Sequence, residues 1–374
     1  MAKVVYLAES FGSYHDPGIP VSRIMHYSGH NIGNFAFWNG ARKLFDANIV
    51  CIPFGANEKH LPRDIDFFVV PAANFLNATS DLGWLANLIV KIDRPCVVVG
   101  LGAQAENEEQ IPVLKEGTIR FLQEAARRTP FLAVRGPFTE KVCAHYGVTN
   151  VRVLGCPSIF TNGDRMMAER VAAAWDQEID KIAVHAASIK SHVMAAERYL
   201  FGLLRTVPGS TFVLQRPVEL MKLVRGMELA ETEQAYVERV RQFLAPDLSM
   251  PKFMQVLRQA GMIPYSVDSW IFALQSHSHS LGTRIHGAIL SLSSYLPTIC
   301  ITHDTRTREL CSVLKVPNIR SNQVTAASSV RDIFASIRMD AAVFEDNRST
   351  LASGYKALMT EVGIGPSRYL TEKF

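Results

Sequence analysis

Nowhere in the 374 residues does an apolar run approach the roughly 18–20 residues of a spanning helix, so a transmembrane segment is not expected. The six cysteines (Cys51, Cys96, Cys143, Cys156, Cys300, Cys311) form no C-x-x-C pair, and several sit inside apolar runs as small core residues do. The opening MAKVVYLAES begins on a strand pattern and turns polar after Leu7, unlike a secretory signal. A reduced, cytoplasmic protein is the expectation. Net charge is only +4 and the basic residues are scattered, which argues against a dedicated nucleic-acid binder. A P-loop, a G-x-S-x-G elbow and H-E-x-x-H are absent, as are short repeats and low-complexity tracts.

Short apolar runs alternating with amphipathic stretches make up most of the chain. KVVYLA, ANIVCI, FFVVP, PCVVVGLG, FLAVR, VRVLG, KIAVHA, TFVLQ, ALQSHS and TICIT read as strands. Helical patterns fall at 34–46, 80–91, 115–128, 137–146, 166–176, 192–206, 231–244, 250–259, 268–274, 286–295, 306–314 and 329–337. Ser80 suits an N-cap and Pro137 a first helical turn. This alternation implies an α/β protein with parallel sheets covered on both faces. The chain is too long for one ordinary core. A polar helical stretch at 162–180 separates the halves, giving Rossmann-like domains at 1–165 and 166–345. Residues 346–374 read as a helix and tail folding back across the boundary.

Several constellations carry two readings each. Gly100, Gly102 and Ala105 approximate a dinucleotide fingerprint, but a polar loop (105–112) follows them rather than a helix. A glycine turn lining a cleft fits better. His277 and His279 share a strand face and could hold zinc, yet no local Cys, Asp or Glu completes a site; a polar strand end is the plainer reading. Asn31, Gly33 and Asn34 stand at a helix entrance, either capping it or bonding a ligand. Arg135 follows a strand and His185 ends one, where an anion contact and a structural role are both open.

The stretch at 276–304 (SHSHSLGTRIHGAILSLSSYLPTICITHD) is the most telling. A polar turn with Gly282, Thr283, Arg284, His286 and Gly287 joins a strand to a helix. That sets a guanidinium and an imidazole beside the N–H groups of a starting helix, a setting for a small, highly charged anion. Arginine grips carboxylate or phosphate; histidine can deliver a proton. Taken alone, the pair could equally hold a nucleotide-sugar pyrophosphate or be a structural cluster.

The string GTRIHGAILSL with PTICITHDTRTREL resembles the C-terminal signature of the polysaccharide pyruvyl transferases. The NIGN turn ending at Asn34, VVVGLGAQ, and VRGPFTEKVCAHYGV followed by LGCPS match in the expected order, so the resemblance covers about residues 30 to 315. The family is similar in architecture to two-domain GT-B glycosyltransferases, with the active site between the domains. The resemblance implies transfer of pyruvate from phosphoenolpyruvate to a sugar as a ketal, with no further cofactor and no metal. It implies a saccharide or lipid-linked acceptor, peripheral membrane contact at the inner face, His286 and Arg284 as catalytic, and Arg135, His185, Asn31, Asn34, Gly282, Thr283 and Gly287 as substrate-binding. This chain departs from the pattern at Asn34 (often Asp), at Pro71–Asn74 (a glycine-rich turn in others), at Cys156–Pro157 (Asp–Pro) and at Arg306 (Lys). The donor half therefore matches more closely than the acceptor half. A nucleotide-sugar glycosyltransferase and a non-catalytic sugar-binding relative are the competing functions.

Overall fold

The computed structural model describes residues 1–10, 16–105 and 109–374. Among the described residues twelve strands form, all paired in parallel. They are β1 (Lys3–Leu7), β2 (Asn48–Ile52), β3 (Phe67–Pro71), β4 (Cys96–Val99), β5 (Leu132–Val134) and β6 (Val151–Val153), then β7 (Ile182–His185), β8 (Thr211–Val213), β9 (Gly261–Met262), β10 (His279–Gly282), β11 (Thr298–Thr302) and β12 (Asn318–Arg320). The central ones are short all-apolar or β-branched runs (VVYL, FVV, CVVV, IAV, TICI), as strands buried on both faces must be.

The first half orders its strands β2-β1-β3-β4, and β5-β6 joins through the Leu101–Val134 bridge. The second half orders them β9-β8-β7-β10-β11-β12. In each sheet the order reverses once, between β1 and β3 and between β7 and β10. Connections leave such a point in opposite directions and open a crevice at the strands' C-terminal ends. This is the expected α/β architecture of two parallel sheets.

The chain's end lies against the first half. Tyr355 donates to the Gly155 carbonyl at 3.1 Å, the Arg368 amide donates to Asp46 at 2.7 Å, and Ser367 donates to the Lys43 carbonyl. Arg348 is fully buried beneath this tail, bonded to the Asn162 carbonyl at 2.6 Å and paired with Glu345 at 2.8 Å.

Most strand and helix expectations hold within a few residues, with three corrections. ALQSHS is not a strand: its first residues finish the helix Val267–Leu274, which Ser266 caps, and β10 starts only at His279. The helix expected from Ser80 starts at Gly83, because the Ser80 hydroxyl accepts from Asn77 at 2.7 Å in the preceding turn. β9, β12 and the helices Val21–Tyr27 and Val218–Val224 were not anticipated. Pro137 does open its helix, and all six cysteines are free thiols. Of the polar loop 105–112, residues 106–108 lie outside the described residues.

Candidate active site

The switch point of the second sheet carries the 282–287 turn. Gly282 sits opposite His185 in register, and a Cβ on it would stand 2.2 Å from the His185 carbonyl oxygen. Gly287 is needed for the same closeness, since a Cβ there would lie 2.4 Å from His185 Cγ. These two glycines let the helix Ile285–Ser293 rest directly on β7. That helix is buried almost throughout, so its first turn is rigidly held.

Thr283 and Arg284 bind the neighbouring loop. The Thr283 hydroxyl donates to Glu197 Oε1 at 2.6 Å, and the Ala187 amide donates to Glu197 Oε2 at 2.7 Å. Arg284 donates from Nε to the Ala186 carbonyl at 3.2 Å and from Nη2 to the Ala187 carbonyl. Nη1 takes no part in these bonds. Burial lowers the Arg284 guanidinium to about 10 despite Glu197, so it remains a cation at neutral pH.

His286 keeps part of its surface accessible. Its ring lies 5.5 Å from Phe37, and Nε2 lies 3.7 Å from Cys156 Sγ. Burial, then the charges of Arg135 and Arg306, hold its pKa well below the usual histidine value. An anion arriving among these cations would reverse that field and favour the imidazolium.

Arg306 is the residue the sequence reading undervalued. It stands in the first turn of the helix Thr305–Leu314, paired with Asp304 at 3.4 Å, and its buried Nε has no partner. Its charge acts on Arg135, Arg284, His286 and His303 alike. The signal was available: an arginine just past TICIT repeats the strand-to-helix placement of Arg284. Gln215, at the end of β8, was also missed; it is buried and its side-chain Nε2 is unpartnered.

The other expected residues divide. Gly33, next to Asn31 and Asn34, comes to the His286 turn, for a Cβ on it would lie 2.7 Å from Gln215 Oε1 and 3.4 Å from His286 Nδ1. Asn31 and Asn34 are engaged locally: Asn31 Oδ1 accepts from the Gly33 amide at 3.3 Å, and Asn34 Nδ2 donates to the Ser28 carbonyl at 2.9 Å. Arg135 is buried and spends three donors on Gly100, Asn74 and Ala72 at 2.8, 2.8 and 3.3 Å. It contributes charge to the site from behind Phe37. His185 lies beneath the helix, bonded through Nε2 to Ser291 at 2.9 Å. His277 and His279 lie at the opposite end of β10, bonded to the Leu274 and Trp175 carbonyls. No group of three metal-ligating side chains occurs among the described residues.

A cavity of about 890 Å³ adjoins the cluster. Asn77, Thr79, Gln104 and Gln110 line it from the first half, and Lys190, His192, His303 and Asp304 from the second. Asp304 connects cavity and cluster, because it also pairs with Arg306. Burial would raise its carboxyl, but Arg306, His303 and the Thr307 amide and hydroxyl outweigh this and hold it ionised. The second-half wall sets Lys190 and two imidazoles beside the Asp304 carboxylate, and the first-half wall offers amides and the Thr79 hydroxyl. The size suits a small-molecule substrate, for which about 300–1,000 Å³ is usual.

The fold and site are those of an α/β protein of two parallel sheets with a histidine and arginines clustered at the second sheet's switch point. The particular family follows from the sequence: the chain belongs to the polysaccharide pyruvyl transferases, whose family model matches residues 31–305. No protein of curated function matches it. Solved structures similar to it include the UDP-GlcNAc 2-epimerase of Methanocaldococcus jannaschii in complex with UDP-GlcNAc and UDP (11% identity, TM-score 0.41, 95% of this chain and 100% of that one). Others are S. aureus MnaA with UDP (10%, 0.44, 100% and 94%) and Anabaena HepE with UDP and glucose (10%, 0.38, 95% and 100%). No helix among the described residues is long and apolar enough to cross a membrane.

Proposed function

We propose that the protein transfers pyruvate from phosphoenolpyruvate to two hydroxyls of a saccharide, forming a cyclic ketal and releasing phosphate. The observation that carries this reading is His286 under the charges of Arg135 and Arg306, two residues from Arg284 and near a cavity of about 890 Å³. Phosphoenolpyruvate bears a carboxylate and a phosphate a few bonds apart, so it needs two cationic contacts and one proton source. Arg284 and Arg306 supply the contacts, with Arg135 adding charge from behind. Anion binding raises the affinity of His286 for a proton. His286 then protonates the methylene carbon, leaving an oxocarbenium-like centre at C2. One hydroxyl attacks C2, the bond to the phosphate oxygen breaks, and a second hydroxyl closes the ketal. Of the two hydroxyl protons, one replaces the proton given to carbon and the other leaves with phosphate.

The wall formed by Asn77, Thr79, Gln104 and Gln110 is suited to the acceptor. On this reading residues 1–165 serve the acceptor and 166–345 the donor. The acceptor is a sugar of an exopolysaccharide or cell-surface glycan, or its lipid-linked precursor met at the membrane's inner face. No cofactor takes part, since the enol phosphate supplies the driving force.

Phosphate release from phosphoenolpyruvate with a panel of oligosaccharides tests the reading. His286→Ala is expected to lose on the order of 10²–10⁴ in rate while staying folded. Near-wild-type turnover by that variant removes His286 as the acid. Thermal stabilisation by a nucleoside diphosphate and not by phosphoenolpyruvate would favour a nucleotide-sugar transferase. Binding without phosphate release on every acceptor would mark a non-catalytic relative.

A further inference from the structure

The surroundings of His286 decide which ring nitrogen carries its proton. Among the described residues, the polar atom that Nε2 meets is Cys156 Sγ at 3.7 Å. That sulfur already accepts the Ser158 hydroxyl hydrogen at 3.1 Å. A hydroxyl has a single hydrogen, so the Ser158 proton is committed to the sulfur. The thiol's own hydrogen is left to point outward, and Nε2 is the nitrogen it meets. Nδ1 lies on the other side of the ring, beside Gly33 and within reach of the Gln215 region. Phe37 packs against the ring, which restrains it from flipping.

We propose that Cys156 is a positioning residue for His286: its thiol hydrogen is directed at Nε2, so the neutral ring carries its proton on Nδ1, on the side of Gly33 and Gln215. This deepens the pyruvyl-transfer reading, on which His286 is the proton donor, and rests on it. A thiol is only a weak donor. It therefore orients the imidazole without holding a second proton on it, as a carboxylate would. The charged groups that face this ring are Arg135 and Arg306, both cations that drive a second proton off. The resting state is a neutral imidazole of one tautomer. It becomes the imidazolium only when an anion offsets those two guanidiniums.

Two-bond ¹H–¹⁵N correlation spectra of histidine-labelled full-length protein read the tautomer directly, with His286→Gln assigning the signal. The wild type is expected in the Nδ1–H form, the reverse of the preference of an unconstrained imidazole. Cys156→Ser keeps a donor and keeps that form. Cys156→Ala lets the Nε2–H form become at least equally populated, with thermal melting confirming the fold. Cys156→Asp is expected to raise the ring's pKa by about one unit or more, because an opposite charge then lies beside it. An Nε2–H wild type, or an unchanged tautomer in a folded Cys156→Ala variant, overturns the proposal. The spectra need no turnover, so failure of pyruvyl transfer and failure of this inference are seen separately.

Discussion

Glu309 accepts two hydrogen bonds from Thr139: Oε1 from the backbone N–H at 2.9 Å and Oε2 from the hydroxyl at 3.0 Å. The residues are 170 positions apart and belong to different sheets' helices. The carboxylate caps the helix Pro137–His145, a favourable place for negative charge. Thr139 Oγ1 also accepts from the Ala103 amide at 3.0 Å, extending the link to the turn after β4. Glu309 lies one helical turn from Arg306, so this contact sets where Arg306 stands. Glu309→Ala removes both acceptors and leaves a buried amide unpaired. The expected loss is about 1–3 kcal/mol of stability. Urea unfolding checks it, and a midpoint equal to wild type would show that the contact is spent in other ways.

Gly287→Ala places a Cβ where His185 Cγ is only 2.4 Å away. Neither partner can yield easily, because His185 is bonded to Ser291 and the helix is buried. Overpacking of this kind costs about 1–3 kcal/mol. The helix start carries His286, so turnover should fall along with the unfolding midpoint. A variant that melts like wild type contradicts the close contact.

Arg306→Met removes a guanidinium whose charge acts on His286 and Arg284. Two changes should appear together. The thermal shift produced by phosphoenolpyruvate should shrink, and the pKa of His286 should rise, since a like charge has gone. Arg306→Lys keeps the charge and should retain more of the ligand shift. Loss of ligand stabilisation without any change in the histidine signal would place Arg306 outside the field around the ring.

Stability should fall as the solution is acidified below about pH 6.5, the ordinary histidine value. Burial holds His185 at about 3, and burial with Arg306 holds His303 at about 4 although Asp304 opposes them. Below the unfolded value the unfolded chain binds protons that these folded rings refuse. Each ring then contributes a slope of about 1.4 kcal/mol per pH unit, lost progressively as pH drops toward its folded value. Glu197 and Glu309, raised by burial, oppose this as pH nears the carboxylate range, so the clean window is roughly pH 6.5 to 5. Chemical unfolding across that window measures the slope, and His185→Asn should reduce it by one proton. A flat profile would mean that these rings are already protonated in the native state.

Legibility from the sequence followed the range of the forces involved. Runs such as VVYL, CVVV and TICI declared their strands because burial on both faces demands continuous apolar residues. ALQSHS misled because a helix's last apolar residues abut a polar turn, and short apolar runs do not distinguish helix from strand. β9 and β12 are short and only partly buried, so they leave no periodic trace. That Arg284 and His286 stand where a strand turns into a helix was legible from local order alone. Arg135 and His185 also end strands, yet the structure commits both side chains to bonds with their own half.

What the amino-acid order determined by itself is the strand–helix alternation, the two parallel sheets and the polar strand-to-helix turn at 282–287, because each depends on neighbours within a few residues. Only the tertiary structure decided that Cys156, 130 residues away, meets His286, that Phe37 covers the ring, and that Arg306 shares its field with Arg135. Those encounters are made where the ends of the two sheets dock, and no local pattern encodes how two separately formed surfaces come together.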